Sequence, residues 1–169
     1  MSEPGLSVVV TLLNEEGSLE ELYRRTVTAL DGRPFDNRDY SGNVDAYNVG
    51  GSWGAPCRKE APLLRRVWNE NRDRELQFVG VNVRDNDTAA RAFQRNFGID
   101  CPSINTAPSR QTLLSFGSAL PPSAVPGALI VDAEGRLAAR IIEPTSHSTL
   151  TTSVTCESPA CTRTRASSQ

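Results

Sequence analysis

Apolar positions fall in short blocks whose period changes along the chain. Leu6–Leu13 is a mostly apolar, β-branched run expected to form a strand. It leads into a helix opened by Ser18 with Glu21 three residues on, a capping box, with Leu19, Leu22 and Tyr23 on one face. The β-branched Thr26-Val27-Thr28 weakens that helix beyond Arg25. Asp31-Gly32 then predicts a hairpin turn between "TVTAL" and "RPFD", and Gly42-Asn43 punctuates before a strand over Val44–Val49.

The period next lengthens. Pro56 suits the first turn of a helix whose stripe is Leu63, Leu64, Val67 and Trp68, with a kink expected at Pro62. "LQFVGVNV", residues 76–83, is nearly continuous in apolar character and reads as a buried strand. A helix beginning near Asp87 or Thr88 carries Ala89, Ala90, Phe93 and Phe97 and stops at Gly98. A loop with Pro102 and Pro108 leads to a short helix near Leu113–Phe116. The block "AVPGALIVDAEGRLAARII" then predicts a strand, a turn over Asp132–Gly135 and an antiparallel return strand. From about Ser153 the chain turns to Ser, Thr and Arg and is expected to be a disordered tail. Strand, helix, strand, helix, strand, strand predicts an α/β domain with a central mixed sheet flanked by helices.

Composition narrows the function classes. The 169 residues suffice for one compact domain with a sizeable core, and the net charge of −2 without a long basic run argues against a nucleic-acid partner. Lys59 is the single lysine among 18 basic residues, a bias that fits a GC-rich genome. No segment approaches the roughly 18 apolar residues of a membrane span, and Leu6–Leu13 lacks the basic lead of an export signal, so a cytoplasmic location is expected. Cys57, Cys101, Cys156 and Cys161 are not spaced as a Cys-x-x-Cys pair, and His147 is the one histidine. A metal site is therefore not expected, and neither is a cofactor.

The chemistry concentrates in "GGSWGAPCRKE", residues 50–60. Trp53-Gly54-Ala55-Pro56-Cys57 has the form of a redox-active Trp-Cys-x-x-Cys site with glycine at the first cysteine position. Together with "GRPFDNRDYSGNVDAYNVGGSWGAPCRKEAPLL", "FVGVNVRDNDTAARAFQRNFGI" and "VPGALIVDAEGRLAARI", it resembles the TlpA-like thioredoxin-fold thiol-disulfide oxidoreductases of bacteria, which are exported or membrane-anchored. The resemblance runs from about residue 27 to 150 and implies a thioredoxin-like fold. It also implies a nucleophilic thiol at position 54, a resolving thiol at Cys57, a leading aromatic at Trp53, and a cis Val125-Pro126 bond that presents backbone to a substrate chain. Pro56 completes the motif. The partner so implied is a thiol- or disulfide-containing protein, or an extended peptide.

Three departures alter that expectation. Gly54 supplies no thiolate, so attack by the family's route is absent. Gly50 stands where the family carries a bulky aromatic, a change costing several kcal/mol if the site is buried. Asp45 interrupts an apolar strand, and its carboxylate must either face solvent or find partners. Cys57 is then either a lone reactive thiol, with a resolver from Cys101 or another molecule, or a shielded remnant. Impaired thiol-disulfide exchange and a non-catalytic peptide-binding module are the two readings this leaves, beside a degraded remnant.

The start of the chain points elsewhere. "LSVVVTLLNEEGSLEELYRR" resembles the opening of family 2 glycosyltransferases over about residues 6–30, with Thr11 in place of the usual proline and Asn14-Glu15 following. The resulting division is an extension over 1–26, a redoxin domain over 27–152 and a tail over 153–169. Asp85-Asn86-Asp87 has the Asp-x-Asp form that holds a metal on a sugar nucleotide, but a strand-end loop with Asp87 capping the next helix explains it better. His147 among serines reads as an exposed polar residue, since no nucleophile elbow accompanies it.

Overall fold

The computed structural model describes residues 26–72, 76–104, 120–121, 123–142, 144 and 146–156. The expected strand at Leu6–Leu13, its capping box, the helix near Leu113–Phe116 and Cys161 lie outside them.

A small hairpin comes first. β1 (Thr26–Thr28) pairs antiparallel with β2 (Pro34–Asp36), as the Asp31-Gly32 turn predicts. Gly32 takes φ +86°, the left-handed region that glycine enters without a Cβ clash. A 3-10 turn follows over Asn37–Tyr40, capped by the Asp36 carboxylate on the Arg38 N–H. The hairpin is docked rather than free: Leu30 N–H donates to Ser103 O at 2.7 Å, and Arg91 Nε donates to Leu30 O at 2.7 Å.

The main sheet is built from β3 (Val44–Gly50), β4 (Leu76–Asn82), β5 (Ser103–Ile104), β6 (Gly127–Val131) and β7 (Leu137–Ile141), in the order β5-β4-β3-β6-β7. α1 (Ala55–Asn71) and α2 (Asp87–Phe97) make the crossovers that leave β3, β4 and β5 parallel. β6 and β7 run antiparallel, giving the mixed sheet expected from the element order. Two-residue β5 follows Pro102 and is too short to show in the hydrophobic pattern.

Alternation along β3 divides the core. Tyr47 and Val49 point to one face with Phe35, Leu120, Leu129 and Val131. Val44 and Ala46 point to the other, where Val67 of α1 meets Leu150 and Val154 of α3 (His147–Cys156). α3 carries the helix through Cys156, past the expected start of the tail at Ser153, and residues 157–169 lie outside the described residues. Its Ser/Thr-rich sequence conceals two apolar residues one turn apart, Leu150 and Val154, both fully buried.

One local expectation changes, at the start of α2, and the alternatives for Asp45 narrow to burial. α1 continues through Pro62, which lies exposed on the helix surface, so the lost backbone donor does not end it. Asn86, rather than Asp87, caps α2: its Oδ1 accepts from the Ala89 N–H at 2.8 Å. Asp45 does not face solvent. It is fully buried in β3, opposite Gln77 and Val131, and its charge helps hold the half-buried Tyr40 hydroxyl protonated, after the larger effects of burial and Asp39. Gly98 ends α2 in the left-handed conformation, as expected.

Candidate functional site

Sheet register places the motif. β3 ends at Gly50 and β6 begins at Gly127, with Val49 opposite Gly127. The Val125-Pro126 bond therefore emerges at the same sheet end as the 51–54 turn and the start of α1. That bond is cis, Pro126 is buried and Val125 half-buried. The Val125 N–H is occupied locally, donating to Ser123 O at 2.9 Å.

The turn before α1 is held from β4. Gly54 N–H donates to Gly51 O at 3.1 Å, and Arg58 N–H donates to Gly54 O at 3.0 Å as the first helical bond. Asp85 accepts from the Ser52 N–H at 2.6 Å and from the Ser52 hydroxyl at 2.9 Å. Arg58 donates to Ser52 O at 2.6 Å, and Trp53 Nε1 donates to Val83 O at 3.0 Å. With the indole nitrogen tied down, the Trp53 ring stays 46% exposed, and the Arg84 guanidinium sits 4.8 Å from its centroid. This is what Asp85 of the Asp-x-Asp sequence does here: it fastens the turn before α1. Among the described residues, no cluster of potential metal ligands occurs.

Gly54 is the N-cap of α1 and offers no side chain to cap it. Where a nucleophilic sulfur would stand there is backbone alone. Cys57, one turn in, is 6% exposed. Burial pushes its thiol above the ordinary range; the Gly51 backbone opposes this next most strongly, the Glu60 carboxylate adds to it, and Arg58 opposes least. A helix N-terminus usually favours thiolate; at Cys57 desolvation wins. Its sulfur nevertheless aims at the vacant position, since a Cβ built on Gly54 would lie 2.8 Å from Cys57 Sγ and 3.4 Å from its Cβ.

Behind the thiol lies a cavity of about 70 Å³ between α1, α2 and β4. Cys57 and Glu60 line it from α1, and Gly50 and Asn48 from β3. A Cβ built on Gly50 meets only ordinary contacts, 3.6 Å from Cys57 Sγ and 3.8 Å from Asn48 Oδ1. Position 50 thus has room for a Cβ, in contact with Cys57 and Asn48. Cys101 borders the same cavity, and both cysteines are free. Burial, with Asp100 adding, pushes the Cys101 thiol up to about 12, so it stays protonated at neutral pH. Glu60 and the cavity are the parts of the site that sequence reading missed. A glutamate three positions after Cys57 signals its place on the same helix face, but nothing in the pattern signals its burial.

Comparison with known proteins decides the family. The sequence profile of the Redoxin family matches residues 18–163. The chain belongs to the redoxin family. That match begins within the stretch that resembles a glycosyltransferase opening, and the glycosyltransferase likeness is not supported. Among relatives of this redoxin, thiol:disulfide interchange protein HelX of Rhodobacter capsulatus is 29% identical over 70% of the chain and 63% of the relative. Thiol-disulfide oxidoreductase ResA of Bacillus thuringiensis is 22% identical over 69% of the chain and 64% of the relative. The chain therefore spans under two thirds of the length of these curated relatives. A secreted thiol-disulfide isomerase from Corynebacterium glutamicum superposes with a TM-score of 0.72 at 23% identity, covering 91% of this chain and 93% of that one. The redoxin has the thioredoxin-like fold.

Among the described residues no helix is long and apolar enough to cross a membrane, and the Corynebacterium neighbour is described as secreted, so the expected cytoplasmic location has no support. His147 differs from a bare surface histidine: its Nε2 lies 2.8 Å from Glu70 Oε2, bridging α3 to α1. Cys156 falls at the end of α3.

Proposed function

We propose that this redoxin derives from TlpA-like thiol-disulfide oxidoreductases, has lost two-thiol exchange, and retains a cleft for an extended peptide beside Trp53 and Val125-Pro126. One observation carries the reading: the helix tip has glycine at position 54, and the remaining thiol, Cys57, is buried with its ionisation suppressed. Exchange requires a thiolate to attack and a second thiol to resolve the mixed disulfide. Cys57 is shielded from the first task and has no thiol at 54 to share the second.

The peptide-binding half rests on what stays in place. The exposed Trp53 ring is immobilised by its bond to Val83 O, and Pro126 turns the backbone at the adjoining sheet end. An aromatic face beside main chain at a sheet end suits an extended segment, once the local Val125–Ser123 hydrogen bond yields to a peptide partner. Titration with a reduced, unfolded polypeptide, followed by Trp53 fluorescence against a Trp53→Ala control read by calorimetry, tests it. Saturable binding in the wild type that weakens at least about tenfold in the variant is expected. Equal affinity in both would refute the cleft.

A further inference from the structure

Arg84, just past the end of β4, sits in a conformation that disfavours it. Among the described residues it alone takes a positive φ, +50°, without being glycine. A Cβ makes that left-handed region unfavourable, whereas glycine enters it freely. The backbone is pinned on both sides. Val83 O accepts from Trp53 Nε1 at 3.0 Å and Val83 N–H donates to Gly50 O at 2.9 Å, while Asp85 holds Ser52. Between these anchors the turn carries the Arg84 side chain back over Trp53, with the guanidinium carbon 4.8 Å from the ring centroid. A guanidinium has five N–H donors, and a ring contact leaves them without an ordinary acceptor. Arg84 is exposed, and among the described residues it has neither a hydrogen-bond acceptor nor an ion-pair partner.

Charge around the ring is one-sided. Arg58, also exposed, is fixed beside it by donating to Ser52 O at 2.6 Å. Asp85, the acid next to Arg84, accepts from the Ser52 N–H, the Ser52 hydroxyl and the Asn86 N–H, so its oxygens are already engaged. The first turn of α1 has no acidic residue, and residues 123–127 at the same sheet end carry no charge. We propose that Arg84 selects an acidic segment: the extended peptide beside Trp53 and Val125-Pro126 carries an Asp or Glu whose carboxylate pairs with the Arg84 guanidinium. The planar fork matches a carboxylate through two parallel N–H···O bonds, and the ring beneath it holds the fork, so less side-chain freedom is lost on pairing. Arg58 adds a second positive charge, which repels a lysine- or arginine-rich segment. The inference rests on the peptide cleft proposed above and names the chemistry of its occupant.

Two end-capped, cysteine-free decapeptides, otherwise uncharged and differing only in a central Glu or Gln, are the probes, titrated by calorimetry into the full chain. At low salt the Glu peptide is expected to bind about fivefold more tightly than its Gln twin, and the gap should close at about 0.5 M salt. Arg84→Gly, at an exposed site whose backbone suits glycine, is expected to keep the fold and bring the two peptides to equal affinity, with the Gln peptide still bound. Equal affinity for the two peptides in the wild type, or a preference for Glu that survives in Arg84→Gly, would overturn selection by Arg84 and leave the cleft standing. Absence of saturable binding by either peptide would overturn the cleft and the selection together.

Discussion

Gly54→Cys restores the missing sulfur, and the structure says how closely. Gly54 has φ −79° and ψ 116°, an extended conformation open to any L-residue, so a side chain brings no backbone strain. A Cβ there would lie 3.4 Å from the Cys57 Cβ and 2.8 Å from its sulfur. Across a disulfide the two Cβ atoms are about 3.5–4.5 Å apart, and standard bond lengths put Cβ about 3.0 Å from the far sulfur. The contact is too short for strangers and close to right for bonded partners. The chain-entropy relation gives about 2 kcal/mol for closing the loop from 54 to 57. In the reduced variant no bridge offsets the loss of a glycine N-cap, which costs up to about 1 kcal/mol. Thiol counting by mass spectrometry, with Gly54→Cys/Cys57→Ser as control, is expected to show one bridge between 54 and 57. The denaturant midpoint should fall on reduction by the equivalent of about 2 kcal/mol, and reduction of a protein disulfide by dithiothreitol should now be catalysed. A folded Gly54→Cys protein that leaves both thiols free under oxidising conditions would refute the geometric argument.

Other consequences follow from the same structure. Asp85→Ala removes the acceptor for two Ser52 donors and is expected to cost about 1.5–3 kcal/mol and broaden the Trp53 emission, as read by denaturation and fluorescence. Leu150→Ala, at a fully buried position of α3, is expected to cost about 2–5 kcal/mol in chemical denaturation, where a tail outside the core would cost nothing. Cys57 has its ionisation pushed upward, so its alkylation by iodoacetamide should lag that of a free cysteine at neutral pH and reach the same rate only at a higher pH. Cys101 is raised to about 12, above its unfolded value near 8.5, so its contribution to stability is complete below pH 8.5 and declines toward 12 as the unfolded thiol ionises first. Urea midpoints measured across that window should fall with pH in the wild type and fall less in Cys101→Ala.

The sheet was readable where burial imposed a simple period. Val44–Val49 and residues 76–83 announce strands through apolar runs, and Asp31-Gly32 and Asp132–Gly135 announce their turns; all four are in place. α3 was hidden because serine and threonine dominate its composition, and only the spacing of Leu150 and Val154 carries the packing signal. Asp45 was ambiguous because a carboxylate in a strand looks alike whether it faces water or protein, and tertiary packing chose burial. At the site, the family resemblance singles out Trp53, Gly54, Pro56, Cys57, Val125 and Pro126, and the fold brings these positions to one end of the sheet. The depth of Cys57, the burial of Glu60 and the cavity between α1, α2 and β4 do not show in that pattern, since each depends on how α1 and α2 close over β4.

The most direct measurement is steady-state reduction of an insulin-type disulfide substrate by dithiothreitol, comparing wild type with Cys57→Ser. A helix tip without sulfur predicts that both proteins run at the uncatalysed rate. Turnover by the wild type that disappears in Cys57→Ser would contradict the account, because the buried thiol would then be carrying the exchange alone.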